Sequence, residues 1–167
     1  PQKCDSVKLK KQNSYFVKTV QLLQNQILIH YLKSRKLNIE ICKMYLDEVY
    51  YTINQKKYFG VGFKNDKNQY EIRNKYAKLC LGEKWFTWIN RSNKSLVVLE
   101  SWSDFLSLLS LYPKCEKSKD FLILNSLSML SKVDNVLNMY AELLFALDND
   151  VAGSNATENC LKKWNLG

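Results

Sequence analysis

The spacing of apolar residues changes along the chain, and each change predicts a different kind of structure. Apolar side chains recur at helical spacing from Ser14 to Leu32 and again over Ile39–Leu46, so we expect two helices there. From Glu48 onwards, β-branched and aromatic runs are separated by short polar turns, which is typical of a β-meander. The strands predicted in this middle part span residues 48–53, 58–63, 69–73 and 84–89.

The last part of the chain is predicted to be α/β. Continuous apolar runs at 96–99, 121–124 and 143–147 are typical of strands buried on both faces of a parallel sheet. Helices are expected between and after these runs, over 103–111 with Ser103 as N-cap, over 131–139 and over 152–164, and a loop is expected at 113–119. Because strands and helices alternate with short connections, we expect a parallel sheet with right-handed crossovers.

These patterns divide the chain into three parts. Residues 1–45 are predicted to form an N-terminal helical segment, residues 46–93 a basic β-rich subdomain, and residues 94–167 an α/β subdomain. The chain opens with Pro1 rather than an initiator Met and shows no secretory signal, so we expect a fragment of a longer protein.

Charge narrows the choice of partners. The chain has 25 Lys and Arg against 16 Asp and Glu, a formal net charge of +9. Such an excess suits a polyanion, either nucleic acid or an anionic membrane surface, although lysines that only keep the protein soluble are an equal alternative. No apolar run approaches the roughly 20 residues that span a bilayer, so we expect no membrane insertion.

The cysteines and the single histidine exclude several kinds of site. Five cysteines are scattered without a C-x-x-C pair, which argues against a zinc site and favours free thiols packed in the interior, in a reducing cytoplasm. His30 lies in an apolar stretch without any catalytic motif around it, so we expect a packing role and no histidine-based nucleophilic catalysis.

Acidic residues follow two of the predicted parallel strands. Glu100 comes directly after the run 96–99, and Asp148 and Asp150 come directly after the run 143–147. The carboxyl ends of parallel strands meet at one edge of a sheet, but whether these strands are neighbours depends on a strand order that the sequence does not show. Carboxylates gathered there would repel one another unless a hard cation such as Mg²⁺ neutralised them. The alternative is ordinary turn chemistry, with Asp150 only capping the following helix.

The same residues resemble those of a known family. Residues 96–104 resemble the first Toprim motif, an apolar strand ending in Glu100 with Asp104 a few residues later. Residues 145–153 resemble the second, an apolar strand ending in D-x-D and followed by Ala-Gly. Residues 62–75 resemble the basic β-subdomain before Toprim in DnaG-like primases of bacteria, phages and mobile elements. The resemblance implies a Rossmann-like parallel sheet with flanking helices, preceded by a helical and basic β-rich subdomain.

The resemblance also implies roles for individual residues. Glu100 would act as a general acid or base or help to position metal, and Asp148 and Asp150 would bind Mg²⁺ or Mn²⁺, with Asp104 as an accessory acidic position. Template or nucleotide phosphates would be held by a set of basic residues, which are Arg73, Lys75, Lys78 and Lys84. Aromatic residues at 85, 86 and 88 are expected to divide between stacking surfaces and core.

The function implied is metal-dependent nucleotidyl transfer that makes RNA primers on a single-stranded DNA template from nucleoside triphosphates, with a replicative helicase left open as a partner. Strand cleavage by a Toprim nuclease or topoisomerase, and a non-catalytic nucleic-acid-binding module, are the alternatives. Ser101 and Asn149 stand where many relatives have Gly. Relatives usually have a zinc-binding segment before this region. They also continue into a further strand after it, so the Toprim subdomain is expected to be truncated at its C-terminus.

Overall fold

The structure, a computed structural model, describes residues 15–164. Residues 1–14, the first part of the predicted helical segment, and residues 165–167 lie outside the described residues. The described part forms two β-sheets with helices packed around them.

The first sheet is an antiparallel meander of five strands in sequence order. Its strands are β1 Tyr15–Leu22, β2 Leu46–Ile53, β3 Lys56–Lys64, β4 Tyr70–Arg73 and β5 Lys78–Leu81. Asn54 and Gln55, with φ of 48° and 68°, make the two-residue turn between β2 and β3, because positive φ at both positions matches the twist of a hairpin. The predicted meander over 48–73 is therefore confirmed.

The predicted helix from Ser14 to Leu32 is wrong for its first half. Tyr15–Leu22 is the edge strand β1, paired with β2, and the helix α1 covers Gln26–Ser34. The apolar positions that gave a helical period also lie in a β-branched and aromatic run, and pairing with β2 decided the outcome. Glu48 on β2 accepts the backbone N–H groups of Gln24 and Asn25, which fixes the turn where α1 begins. The second predicted helix is confirmed as α2, Ile39–Tyr45.

The second sheet has the strand order β6-β8-β7-β9. Its strands are β6 Thr87–Ile89, β7 Ser95–Leu99, β8 Asp120–Ile123 and β9 Glu142–Ala146. β8, β7 and β9 are parallel, and the short β6 is antiparallel at the edge. Helix α3, Trp102–Leu111, follows β7, and helix α6, Val151–Lys163, follows β9. The predicted α/β unit with a parallel sheet is confirmed.

Several boundaries in this half differ from the prediction. The N-cap of α3 is Ser101 rather than Ser103, and the expected loop at 113–119 contains a short helix, α4, Cys115–Ser118. The helix expected at 131–139 is replaced by a 3₁₀ turn, Leu127–Lys132, and a short helix, α5, Asp134–Leu137. Met129, Val133, Val136 and Leu137 are buried against the sheet by these two short pieces of backbone, whereas Met139 is exposed.

The main core lies between the two halves and joins them. Leu28 and Leu32 of α1 share one cluster with Phe63 of β3, Phe105 of α3 and Phe121 of β8. Ring centroids of Phe105 and Phe121 are 5.0 Å apart, and those of Phe63 and Phe105 are 6.2 Å apart. Because this cluster holds the first sheet against α3, the strands β4 and β5 are kept beside the carboxyl end of β7.

Within residues 15–164, no helix is both long and apolar enough to cross a membrane. Cys42, Cys80, Cys115 and Cys160 are free thiols. Burial raises the pKa of Cys42 to about 11, so this thiol is a packing group rather than a nucleophile, as the sequence predicted.

Candidate active site at the carboxyl end of the parallel sheet

The strands that precede the predicted acidic residues are direct neighbours. β7 pairs with β9 in parallel, and the register ends with Leu99 opposite Ala146. Glu100 therefore leaves the sheet beside Leu147 and Asp148. The backbone N–H of Asp148 donates a hydrogen bond to the Glu100 carboxylate. The adjacency that the sequence left open is thus present in the fold.

Electrostatics link the four acidic residues. Burial raises the pKa of Glu100, and the charges of Asp148, Asp150 and Asp104 raise it further. Oε2 of Glu100 is buried and has no hydrogen-bond partner among residues 15–164. Burial also raises the pKa of Asp148, followed by the charges of Asp104 and Asp150. Each of these two carboxylates is therefore harder to ionise than an isolated one, and a bound cation would relieve both.

Asp150 both caps α6 and adds negative charge at Glu100, which the sequence analysis gave as alternatives. Its Oδ1 accepts the backbone N–H of Gly153 at 2.8 Å, which caps α6. The same side chain contributes negative charge at Glu100. Gly153 has a separate reason to be glycine, since a Cβ there would overlap the carbonyl oxygen of Asp148. The first turn of α6 thus packs directly on the backbone of Asp148 and fixes its position.

Asp104 begins a chain of hydrogen bonds that ends at Arg73. Oδ2 of Asp104 accepts the backbone N–H of Ser101 at 3.0 Å and its hydroxyl at 2.6 Å. The Ser101 and Ser103 hydroxyls are 2.8 Å apart, and Nη1 of Arg73 donates to Ser103 at 2.9 Å. The Arg73 guanidinium also lies 5.2 Å from the centroid of the buried Trp102 ring. Asp104 therefore helps to position Arg73 and the start of α3.

Glu100, Asp104, Asp148 and Asp150 are called here the acidic cluster. Of the four predicted basic residues, two lie near it. Lys78 and Arg73 both lower the pKa of Asp148 by their charge. Burial lowers the pKa of Arg73, and the nearby Arg35 lowers it further. The negative charges of Asp104 and Asp148 act in the opposite direction. One guanidinium atom, Nε of Arg73, is buried without a partner.

The other two predicted basic residues lie elsewhere. Lys84 pairs with the buried Glu71 at 3.5 Å and donates to the carbonyl of Asn125 at 3.2 Å, so it joins β4 to the turn after β8. Lys75 lies on the exposed turn between β4 and β5, with its ammonium 5.6 Å from the Tyr76 ring centroid.

The aromatic residues at 85, 86 and 88 pack against the outer face of the second sheet. Nε1 of Trp88 donates to the Tyr140 hydroxyl at 2.8 Å. The ammonium groups of Lys67 and Lys132 each lie 4.6 Å from the Trp85 ring centroid. These contacts assign all three aromatic residues to the protein's own packing.

The donor atoms at the strand ends are of the kind that Mg²⁺ prefers. In the part of the chain that the structure describes, no three His, Cys, Asp or Glu side chains are grouped closely enough to hold a metal ion. Mg²⁺ is usually bound through one or two carboxylates together with water and substrate phosphates rather than by an all-protein cage. The unpartnered Glu100 oxygen and the neighbouring exposed Asp148 fit that pattern.

Sequence reasoning missed the serines and Arg35. The signal for the serines was present, because Ser101-x-x-Asp104 is a capping-box pattern at a helix start. No local pattern indicated that Arg35, at the end of α1, lies close enough to Arg73 to shift its pKa, since the two meet only through the packing of α1 on the first sheet.

Comparisons with known proteins agree with this architecture. Residues 97–166 match the Toprim-like family model, and residues 17–82 match the model of a domain of unknown function, DUF8464. The fold is similar to that of a chain in the structure of bacteriophage T7 lagging-strand DNA polymerase interacting with primase domains of two gp4 subunits bound to an RNA/DNA hybrid and dTTP. This similarity has a TM-score of 0.54 and 15% identity, and covers 85% of this chain and 80% of that chain. No curated protein matches in sequence.

Proposed function

We propose that this chain, which has a Toprim fold and resembles the DnaG-like primases, catalyses metal-dependent nucleotidyl transfer. The product would be RNA primers made on single-stranded DNA. The resemblance predicted from the two strand-end motifs is confirmed by the Toprim-like match and by the fold. The primer-synthesis activity is our proposal.

One observation carries it. The parallel pairing of β7 with β9 brings Glu100 beside Asp148, and the charge of Asp148 raises the pKa of Glu100. Two structural carboxylates would be expected to have hydrogen-bond donors or a cation facing them. Here one oxygen of Glu100 is buried without any partner, which favours a site built to receive a ligand.

The chain's own residues suggest a division of work. Glu100 and Asp148 would supply oxygen ligands to Mg²⁺ or Mn²⁺, with Asp150 adding negative charge from the start of α6. The ion would neutralise charge on the transferring phosphoryl group. Arg73 and Lys78, whose charges act on Asp148, would bind the triphosphate oxygens. Glu100 would accept the proton of the attacking 3′-hydroxyl.

The arrangement also suggests why Arg73 is held so firmly. Its hydrogen bond to Ser103 and its contact with the Trp102 ring fix the guanidinium before substrate arrives. A donor that is already oriented loses little entropy on binding phosphate, so it contributes more to the transition state.

The test is nucleotide incorporation on a single-stranded DNA template with ribonucleoside triphosphates and Mg²⁺ or Mn²⁺. The double variant Asp148→Asn/Asp150→Asn should be inactive, and asparagine at 150 can still cap α6. Asp134→Asn, which changes a carboxylate at α5 instead, is the matched control. Undiminished incorporation by the double variant would remove the metal site. Nicking of plasmid DNA without incorporation would instead assign the same carboxylates to strand cleavage.

A further inference from the structure

A cavity lies away from the acidic cluster, between α1 and the first sheet. It is a groove of about 710 Å³, called here the α1 groove. Its walls come from α1, from β3 and from the turn after β4, and its lining includes Tyr31, Arg35, Lys57, Tyr58, Lys75 and Tyr76. A volume of this size accommodates a ligand of several hundred daltons or a short stretch of a polymer.

The lining combines positive charge with aromatic rings. Arg35, Lys57 and Lys75 come from three separate elements, and none of the described residues that line the groove carries a carboxylate. The Arg35 guanidinium lies 6.0 Å from the Tyr31 ring centroid. Tyr76, on the turn after β4, supplies a second ring. Cations that alternate with rigid aromatic faces suit phosphates that alternate with bases.

Tyr76 is held in the open by a turn that is itself anchored. The Asn74 amide donates to the carbonyl of Phe59 at 2.8 Å and accepts the backbone N–H groups of Tyr76 and Ala77 at 2.8 and 2.9 Å. The Tyr76 side chain is nevertheless 88% exposed. A large ring presented to solvent from a fixed backbone adds nothing to folding stability. It is ready to stack on a planar ligand.

The groove leads towards the acidic cluster. Arg35, at its α1 end, is close enough to Arg73 to lower the pKa of that guanidinium, and Arg73 in turn faces Asp148. Charges spread over three elements favour an extended polyanion over a single triphosphate, whose charges converge on one point.

We propose that the α1 groove binds single-stranded nucleic acid, with bases stacked on Tyr76 and phosphates paired with Arg35, Lys57 and Lys75. The strand then passes Arg73 on its way to the carboxylates. The direction of the strand rests on the proposed function, whereas the binding itself does not.

The test measures binding of a labelled oligothymidylate of about ten nucleotides to the 167-residue chain, without divalent metal and over a range of salt concentrations. Tyr76→Ala should weaken binding about 5- to 150-fold, the value of one stacked base, and Tyr76→Phe should not. Lys75→Gln should reduce the log–log salt slope by about 0.7. Tyr112→Ala and Lys117→Gln, an exposed tyrosine and an exposed lysine outside the groove, are the matched controls.

Two further ligands decide between occupants. An abasic phosphodiester oligomer should bind more weakly than oligothymidylate and should not respond to Tyr76→Ala. If dTTP displaces the oligomer with an affinity equal to that of oligothymidylate, and Tyr76→Ala weakens both ligands by the same factor, the groove is a mononucleotide site and the proposal is overturned. Unchanged oligothymidylate binding by both Tyr76→Ala and Lys75→Gln also overturns it.

The binding experiment is separable from the proposed activity. If the Tyr76 and Lys75 variants behave as expected but no nucleotide is incorporated by the unaltered chain, the groove assignment stands and primer synthesis falls. If incorporation depends on Asp148 but the groove variants bind oligothymidylate normally, the groove assignment falls and primer synthesis stands.

Discussion

Carboxylates at the two ends of the parallel sheet are in opposite environments. Asp120, at the start of β8, is 0% exposed. It accepts hydrogen bonds from the Tyr140 hydroxyl, from the backbone N–H groups of Arg91 and Asn93, and from the Asn93 side-chain amide. Burial alone would raise the pKa of Asp120, but these donors lower it below its usual value. At the other end, burial and neighbouring acids raise the pKa of Glu100.

The difference separates structural from functional acids. Glu48 in the first sheet belongs with Asp120, because four donors surround it and lower its pKa despite burial. Such carboxylates stabilise the fold while charged. Glu100 and Asp148 destabilise it while charged, and a fold keeps such a cost where a ligand offsets it.

The largest effect is expected for the functional side. Asp148→Asn should reduce nucleotide incorporation about 1000-fold, because metal-held charge supplies several kcal/mol and each 1.4 kcal/mol is roughly a factor of ten. The free energy of unfolding of the same variant, measured in urea without divalent metal, should not fall, since the change removes repulsion. A loss of stability as large as the loss of activity would place Asp148 with the structural acids.

The next effect concerns Asp120. Asp120→Ala should lower the free energy of unfolding by about 3 kcal/mol, because several buried donors lose their acceptor at once. Asp120→Asn, which keeps one oxygen for Arg91 and Asn93, should cost less. Urea denaturation measures both. Tyr140→Phe, which removes one donor to Asp120 and also the acceptor of the Trp88 Nε1–H, should cost less than Asp120→Ala. Stability equal to that of the unaltered chain in Asp120→Ala would contradict the assignment.

Glu48 gives the corresponding effect in the first sheet, together with a pH dependence. Glu48→Gln should cost about 2 kcal/mol at neutral pH, because the side chain is 1% exposed and charge-assisted hydrogen bonds are lost. The folded-state pKa of Glu48 lies below its unfolded value. Its contribution is therefore complete above the unfolded pKa of roughly 4.3 and is lost as the pH falls through the folded pKa. Denaturation between neutral and acidic pH should show the two proteins converging only at the acid end.

Much of the fold could be predicted from local pattern, and the failures have identifiable causes. The runs at 96–99 and 121–124 form strands that are buried on both faces, as continuous apolar residues predict. The run at 143–147 also forms a strand, but β9 lies at the sheet edge and every second residue is exposed. Tyr15–Leu22 satisfies the spacing of a helix as well as that of a strand, so pairing with β2, a long-range contact, had to decide.

The candidate site could be predicted only residue by residue. Glu100 and Asp148 could be named because each ends an apolar run, but their adjacency comes from the strand order β8-β7-β9, which local sequence does not encode. Asp120 could not be recognised as the opposite case, since its donors come from residues 91, 93 and 140. Whether a carboxylate is structural or functional depends on donors that only the folded chain brings to it.

The smallest effect is a gain. Glu100→Gln should raise the free energy of unfolding by about 0.5 kcal/mol at neutral pH without divalent metal, because it removes one partly exposed charge from an acidic cluster. Glu48→Gln has the opposite sign under identical conditions, so the pair forms a matched comparison. Mg²⁺ should raise the free energy of unfolding of the unaltered chain by mass action, and that of Glu100→Gln by less. With Mg²⁺ the unaltered chain should therefore be the more stable of the two, the reverse of the order without metal. A loss of stability in Glu100→Gln without metal would mean that its buried oxygen has a partner, and the distinction between the two ends of the sheet would no longer hold.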